Sequence, residues 1–157
     1  MTLPDNTTYT LLIVEDNPDL LDMMLRTLPR AGPFTAFGAP DGVSGLEQFE
    51  AVQPHCVVID VKMPRLNGYQ LVRAIRGDPT SAATPIIILT AMAQEQAQFT
   101  GLAAGADRYL LKPVSSQELA AQILSVIDLS EDIRQQRLRE FAEDESKVPM
   151  RGVPDEE

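Results

Sequence analysis

Tryptophan is absent from the 157 residues, and cysteine occurs once, at Cys56. A single thiol excludes an internal disulfide framework and suits a reducing compartment, so a cytoplasmic setting is expected. No run approaches the roughly 18 consecutive apolar residues of a membrane helix. The opening "MTLPDNTTYT" has neither the basic n-region nor the apolar h-region of a secretory signal. Positive charge is scarce as well: 13 Lys and Arg face 23 Asp and Glu, a net charge of −10. That balance argues against holding nucleic acid or an anionic membrane by bulk electrostatics. A glycine-rich phosphate loop is also missing. The first apolar run is followed by Glu15-Asp16-Asn17-Pro18, which cannot cradle a phosphate by itself.

What is present is periodic. Four short apolar runs, "LLIV" (11–14), "VVI" (57–59), "IIIL" (86–89) and "YLL" (109–111), read as strands, with "FTAF" (34–37) a weaker fifth. Helical spacing fills the intervals: Leu20/Leu21, Met24/Leu25 and Leu28; Val43, Leu46 and Phe49; Tyr69, Val72 and Ile75; Leu119, Ile123 and Ile127. Asn17-Pro18 offers an N-cap with proline at the first helical position, and Ser115 or Ser116 caps the last helix. Segment 93–104 is the poorest helix, with Thr100, Gly101 and a thin apolar stripe through Phe99 and Leu102, and we expect it to be the least firmly held. Five alternations of strand and helix predict a doubly wound α/β fold with parallel strands and right-handed crossovers. The fully apolar runs belong in the centre and the mixed ones at the edges, which predicts the flavodoxin-like order 2-1-3-4-5.

Each run ends on a polar residue: Glu15 and Asp16, Asp60, Thr90, Lys112. These positions are C-terminal strand ends, the edge at which such sheets bind ligands. The first and third strands are neighbours in this order, so Glu15, Asp16 and Asp60 should converge. Three carboxylates together repel one another unless cations stand beside them. A divalent ion and Lys112 would balance the charge, and hard oxygen donors suit Mg²⁺, with Mn²⁺ as the substitute. Direct ligation is expected from Asp16 and Asp60, with the backbone carbonyl of Lys62 as a third protein oxygen and Glu15 acting directly or through water. A phosphoryl group fits the balanced site, held by the ion, Lys112 and the Thr90 hydroxyl, with Asp60 as the nucleophile.

In the motifs "LIVEDN" (12–17), "VIDVKMPRLNG" (58–68), "ILTA" (88–91) and "YLLKP" (109–113), the chain resembles the receiver domains of two-component response regulators. The likeness covers residues 9–128, between an N-terminal tail (1–8) and an acidic extension (129–157). It implies that Asp60 is the phosphoacceptor and that Glu15 and Asp16 form the acidic pair that holds Mg²⁺. It further implies that Thr90, followed by Ala91, supplies the switch hydroxyl and that Lys112 pairs with the phosphate. Tyr109 would be the aromatic that turns inward as Thr90 moves, and Lys62 and Met92 the positions that tune hydrolysis. A cis peptide before Pro113 is implied as well. The implied partners are a sensor histidine kinase or histidine phosphotransfer protein and a downstream protein target. Homodimerisation through the fourth helix, fifth strand and fifth helix is a family habit. No direct nucleic-acid or membrane contact is implied.

Plainer readings stand beside these. His55 is expected to be a loop residue, Cys56 a small buried apolar group, and Met23, Met24 and Met63 packing residues. Ser130 is expected to cap a separate helix with sparse apolar positions Ile133, Leu138 and Phe141, followed by a disordered "KVPMRGVPDEE". We expect a phosphorylation switch, stand-alone or a phosphorelay shuttle, and not a turnover enzyme. The alternative is an N-terminal receiver piece of a longer regulator or hybrid kinase. An aspartyl-phosphate phosphatase commonly carries a second acid two residues after its nucleophile, and Lys62 stands there instead. A non-phosphorylated receiver is disfavoured by the complete set of five site residues.

Overall fold

A computed structural model describes residues 8–144, with side chains chiefly as far as Ser130. Five parallel strands pair in the order β2-β1-β3-β4-β5: β1 (Tyr9–Val14), β2 (Phe34–Ala39), β3 (Cys56–Ile59), β4 (Ile86–Thr90) and β5 (Arg108–Leu111). The central strands are buried on both faces, so their side chains split between two cores by the two-residue period of a strand. Leu11, Ile13, Cys56, Val58, Ile87 and Leu89 face helices α1 (Pro18–Ala31) and α5 (Ser116–Asp144). Leu12, Val14, Val57, Ile59, Ile86 and Ile88 face α2 (Gly42–Val52), α3 (Gly68–Gly77) and α4 (Glu95–Ala104). The expected fold and strand order are therefore observed.

Helix starts follow local chemistry. The Asn17 side chain accepts bonds from the amides of Asp19 and Leu20 at 3.0 and 3.2 Å, with Pro18 opening α1. Ser115, rather than Ser116, caps α5 through a 3.0 Å bond from the Glu118 amide. Cys56 is buried, His55 is exposed, and Met24 and Met63 pack in the cores as expected, whereas Met23 is exposed.

Three expectations are corrected. In α2 the inward face carries Gly42, Gly45 and Phe49, while Val43 is exposed. The glycines let the helix approach so closely that a β-carbon at Gly45 would lie 3.0 Å from a Val14 methyl. In α4, Phe99 and Leu102 point to solvent, and Ala97 and Gly101 make the contact. Lastly, α5 runs unbroken through Ser130, which is therefore no cap. The residues before it are already helical, and serine is tolerated within a helix that tertiary packing anchors. The Ile133, Leu138 and Phe141 side chains and the segment 147–157 lie outside the described residues. Among the described residues, no helix is long and apolar enough to cross a membrane.

Candidate phosphoryl-accepting site

Register brings the acids together. Val14 pairs with Ile59, and the backbone bonding continues past the strands: the Asp60 amide donates to Val14 O and the Glu15 amide to Ala39 O, both at 3.0 Å. Glu15 and Asp60 thus leave adjacent strands side by side. Carboxylate oxygens of Glu15, Asp16 and Asp60 lie within 4.8 Å of one another. Glu15 and Asp60 are 2% and 7% exposed, whereas Asp16 stands open to solvent. On the other flank, Thr90 pairs with Leu111, and the Lys112 amide donates to Thr90 O at 2.9 Å, which carries Lys112 to the same rim.

The Lys112 ammonium spans the two buried acids, 2.8 Å from Glu15 Oε1 and 3.3 Å from Asp60 Oδ2. Burial pushes the Glu15 carboxyl above its ordinary value, and the Asp60 charge adds to that push. The Lys112 bond and the Asn17 amide, 3.1 Å from Glu15 Oε2, act in the opposite direction. For Lys112, burial works against the charge, but its bond to Glu15 and the two nearby carboxylates outweigh it. The ammonium is held above the usual lysine range. One lysine therefore neutralises part of a cluster that still carries excess negative charge. The remaining donors are hard oxygens at a partly open mouth, which is the donor chemistry of Mg²⁺.

The other expected residues are placed as follows. Thr90 is 1% exposed at the end of β4, and its Oγ1 accepts a long 3.4 Å bond from the Met92 amide. Ala91 is exposed and Met92 half-buried on the loop that follows, and Lys62 is exposed two residues past Asp60. Tyr109 is half-buried on β5 and donates its hydroxyl to Met92 O at 2.8 Å rather than to any acid of the cluster. The Lys112–Pro113 peptide is cis.

The Asn67-Gly68 pair that ends the second motif opens α3, and Gly68 sits closer to the site than helical periodicity reveals. Asn67 caps α3 in a reciprocal box with Gln70. The Gly68 amide donates to Val61 O at 3.0 Å. A β-carbon at Gly68 would press on the Asp60 carbonyl oxygen and lie 2.8 Å from Val61 Cα. The loop after Asp60 can fold back over the strand end only because that atom is missing. Arg65 was also missed: it sits at φ 65° and forms a 3.3 Å ion pair with Asp41 at the start of α2. The signal for Gly68 was the Asn-Gly pair itself; for Arg65 there was none.

The family model described as response regulator receiver domain matches residues 11–124. The chain belongs to the response regulator receiver family. Among curated relatives, the receiver is similar to the transcriptional regulatory protein CseB of Streptomyces coelicolor. The identity is 40% over 116 residues, covering 74% of this chain and 48% of that protein. It is also similar to the hybrid signal transduction histidine kinase D of Dictyostelium discoideum, 35% identical over 118 residues, 75% of this chain but 8% of the kinase. The receiver thus spans about half the regulator and a small part of the kinase. A solved response regulator receiver domain protein from Methanospirillum hungatei superimposes with a TM-score of 0.74 at 26% identity. That match covers 80% of this chain and 98% of the other.

Proposed function

We propose that this receiver accepts a phosphoryl group on Asp60 from a phosphohistidine of a partner kinase or phosphotransfer protein. A carboxylate oxygen of Asp60 attacks phosphorus in line; the P–O bond forms as the P–N bond breaks, and the electron pair returns to the donor imidazole. The observation that carries this reading is the Glu15–Asp16–Asp60 oxygen cluster within 4.8 Å, with the Lys112 ammonium set across its two buried members. Asp16, Asp60 and the Lys62 carbonyl would hold Mg²⁺ (or Mn²⁺), with Glu15 beside them. The ion, when bound, neutralises phosphoryl oxygens. Lys112 pairs with another of those oxygens, and the Thr90 hydroxyl, with the backbone at Ala91, meets a third.

The unit that carries the switch spans residues 9–128, works in the cytoplasm, and signals through protein contact instead of turning over a substrate. Lys62 and Met92 flank the acyl phosphate and set its hydrolysis. A dimer through α4, β5 and α5 is one form the signalled state would take. The half-length match to CseB supports a second form of the reading, in which the receiver is joined to an effector on the same polypeptide. A native reading frame that continues past Glu157 into such a module would favour it.

The test is incubation with acetyl phosphate and Mg²⁺ followed by intact mass measurement. One phosphoryl group should be gained by the native protein and none by Asp60→Asn. Equal gain by both proteins, or no gain by either, sinks the assignment.

A further inference from the structure

Two phenols bond to the backbone at the entry and in the first turn of α4. Tyr69, on α3, donates its hydroxyl to Ala97 O at 3.0 Å. Tyr109, on β5, donates to Met92 O at 2.8 Å. These two acceptors bracket the segment 92–97, which begins two residues after Thr90. It has few holds of its own: Gln94 occupies the cap position without a side-chain bond, and α4 buries only Ala97 and Gly101. The Tyr109 ring fills the space beneath that helix. A β-carbon at Gly101 would come within 2.9 Å of Tyr109 Cδ2 and of the Ile88 side chain. The two hydroxyls also act on each other. The Tyr109 phenol is pushed up to about 12 by burial first and by the neighbouring Tyr69 hydroxyl second, with the charge of Asp60 adding to it.

We propose that Tyr69 is a positioning residue of the switch: its bond from α3 to the first turn of α4 holds the Tyr109 ring inward and favours the arrangement that accepts a phosphoryl group. The proposal deepens the function proposed above and rests on it. The Tyr69 hydroxyl bonds to Ala97 O and not to an acid of the cluster, so it acts through Tyr109 and α4. A single hydrogen bond of ordinary net strength shifts a two-state balance by about fivefold. Linkage then requires the affinity for whatever binds the favoured arrangement to change in the same direction by up to that factor.

The experiment compares native protein with Tyr69→Phe, which keeps the ring and removes only the hydroxyl. Beryllofluoride with Mg²⁺ serves as the phosphoryl probe, and tyrosinate absorbance is titrated alongside, with Tyr109→Phe marking the Tyr109 component. Tyr69→Phe should still gain a phosphoryl group on Asp60. It should bind beryllofluoride roughly two- to fivefold more weakly, and its Tyr109 ionisation should fall from about 12 toward the ordinary tyrosine value. An affinity equal to that of the native protein overturns the role of Tyr69, whatever the ionisation does. A native protein that takes up neither acetyl phosphate nor beryllofluoride overturns the receiver chemistry, and this proposal falls with it.

Discussion

Replacing Lys112 with methionine keeps the length and most of the apolar stem of the side chain and removes its charge. The loss falls on two buried carboxylates. The ammonium stands 2.8 Å from Glu15 Oε1 and 3.3 Å from Asp60 Oδ2, with Glu15 only 2% exposed. Removing one partner of a buried ion pair costs about 3–5 kcal/mol, and a charged hydrogen bond by itself about 1.5–3. The Lys112 side chain is 22% exposed, so water already weakens the pair, and methionine avoids the cost of burying an ammonium. We therefore expect Lys112→Met to lose about 2–3 kcal/mol at pH 7 without divalent ions.

The pH dependence carries a definite sign. Burial holds the Glu15 carboxyl above its ordinary value in the folded chain, so the native state binds more protons than the unfolded one just above that value. Stability from this group is present at low pH and is lost as pH rises through the folded value, by at most about 1.4 kcal/mol per pH unit. In Lys112→Met the bond that lowers Glu15 is gone, so its folded value climbs further and the window widens. The cost of the mutation should thus be largest near neutrality and shrink toward pH 5. Added Mg²⁺ should recover part of it by binding only the folded state. Urea unfolding at pH 7 and pH 5, in chelator and then in Mg²⁺, measures all three effects. A cost below about 0.5 kcal/mol at pH 7, within the range of a neutral surface change, or a cost that grows on acidification, refutes the charge argument.

The remaining predictions concern one support of the site and one tie at the opposite edge of the sheet. Gly68→Ala puts a β-carbon 2.8 Å from Val61 Cα, against backbone that cannot swing aside. It should cost about 1–3 kcal/mol and slow phosphoryl gain on Asp60 as followed by mass; native stability with native uptake would contradict the packing. Arg76→Met removes guanidinium bonds to Thr84 O at 2.6 Å, Gly105 O at 2.9 Å, Ala82 O at 3.1 Å and Asp107 at 3.0 Å. A loss of about 2–3 kcal/mol is expected, with faster hydrogen exchange in the turns around Thr84 and Gly105; unchanged exchange there would show that the turns hold without it.

Much of the site was legible because its code is local. Strand-ending residues are set by where an apolar run stops, and the run order predicts which strands become neighbours. Glu15, Asp16, Asp60, Thr90 and Lys112 are therefore legible in the sequence as residues of one rim. The helix faces were less legible. Val43, Leu46 and Phe49 satisfy helical spacing, yet α2 turns Gly42 and Gly45 inward because close backbone approach to β1 and to the loop after β3 outweighs burying one valine. The stripe through Phe99 and Leu102 failed for a related reason: Gly101 is the residue that admits the Tyr109 ring. Small residues carry almost no hydropathy signal, so a contact built on them is invisible to periodicity.

The order of apolar and polar residues along this chain determined its strands, their neighbours and the identity of the groups at the rim, since each depends on periods of two and near four residues and on crossover handedness. Tertiary structure alone decided the distances between those groups, the bonds of Lys112 to Glu15 and Asp60, and the bonds of Tyr69 and Tyr109 to either end of the segment that opens α4. Those facts depend on register and close packing between segments distant in sequence, where shifts far smaller than one residue change which atoms can bond.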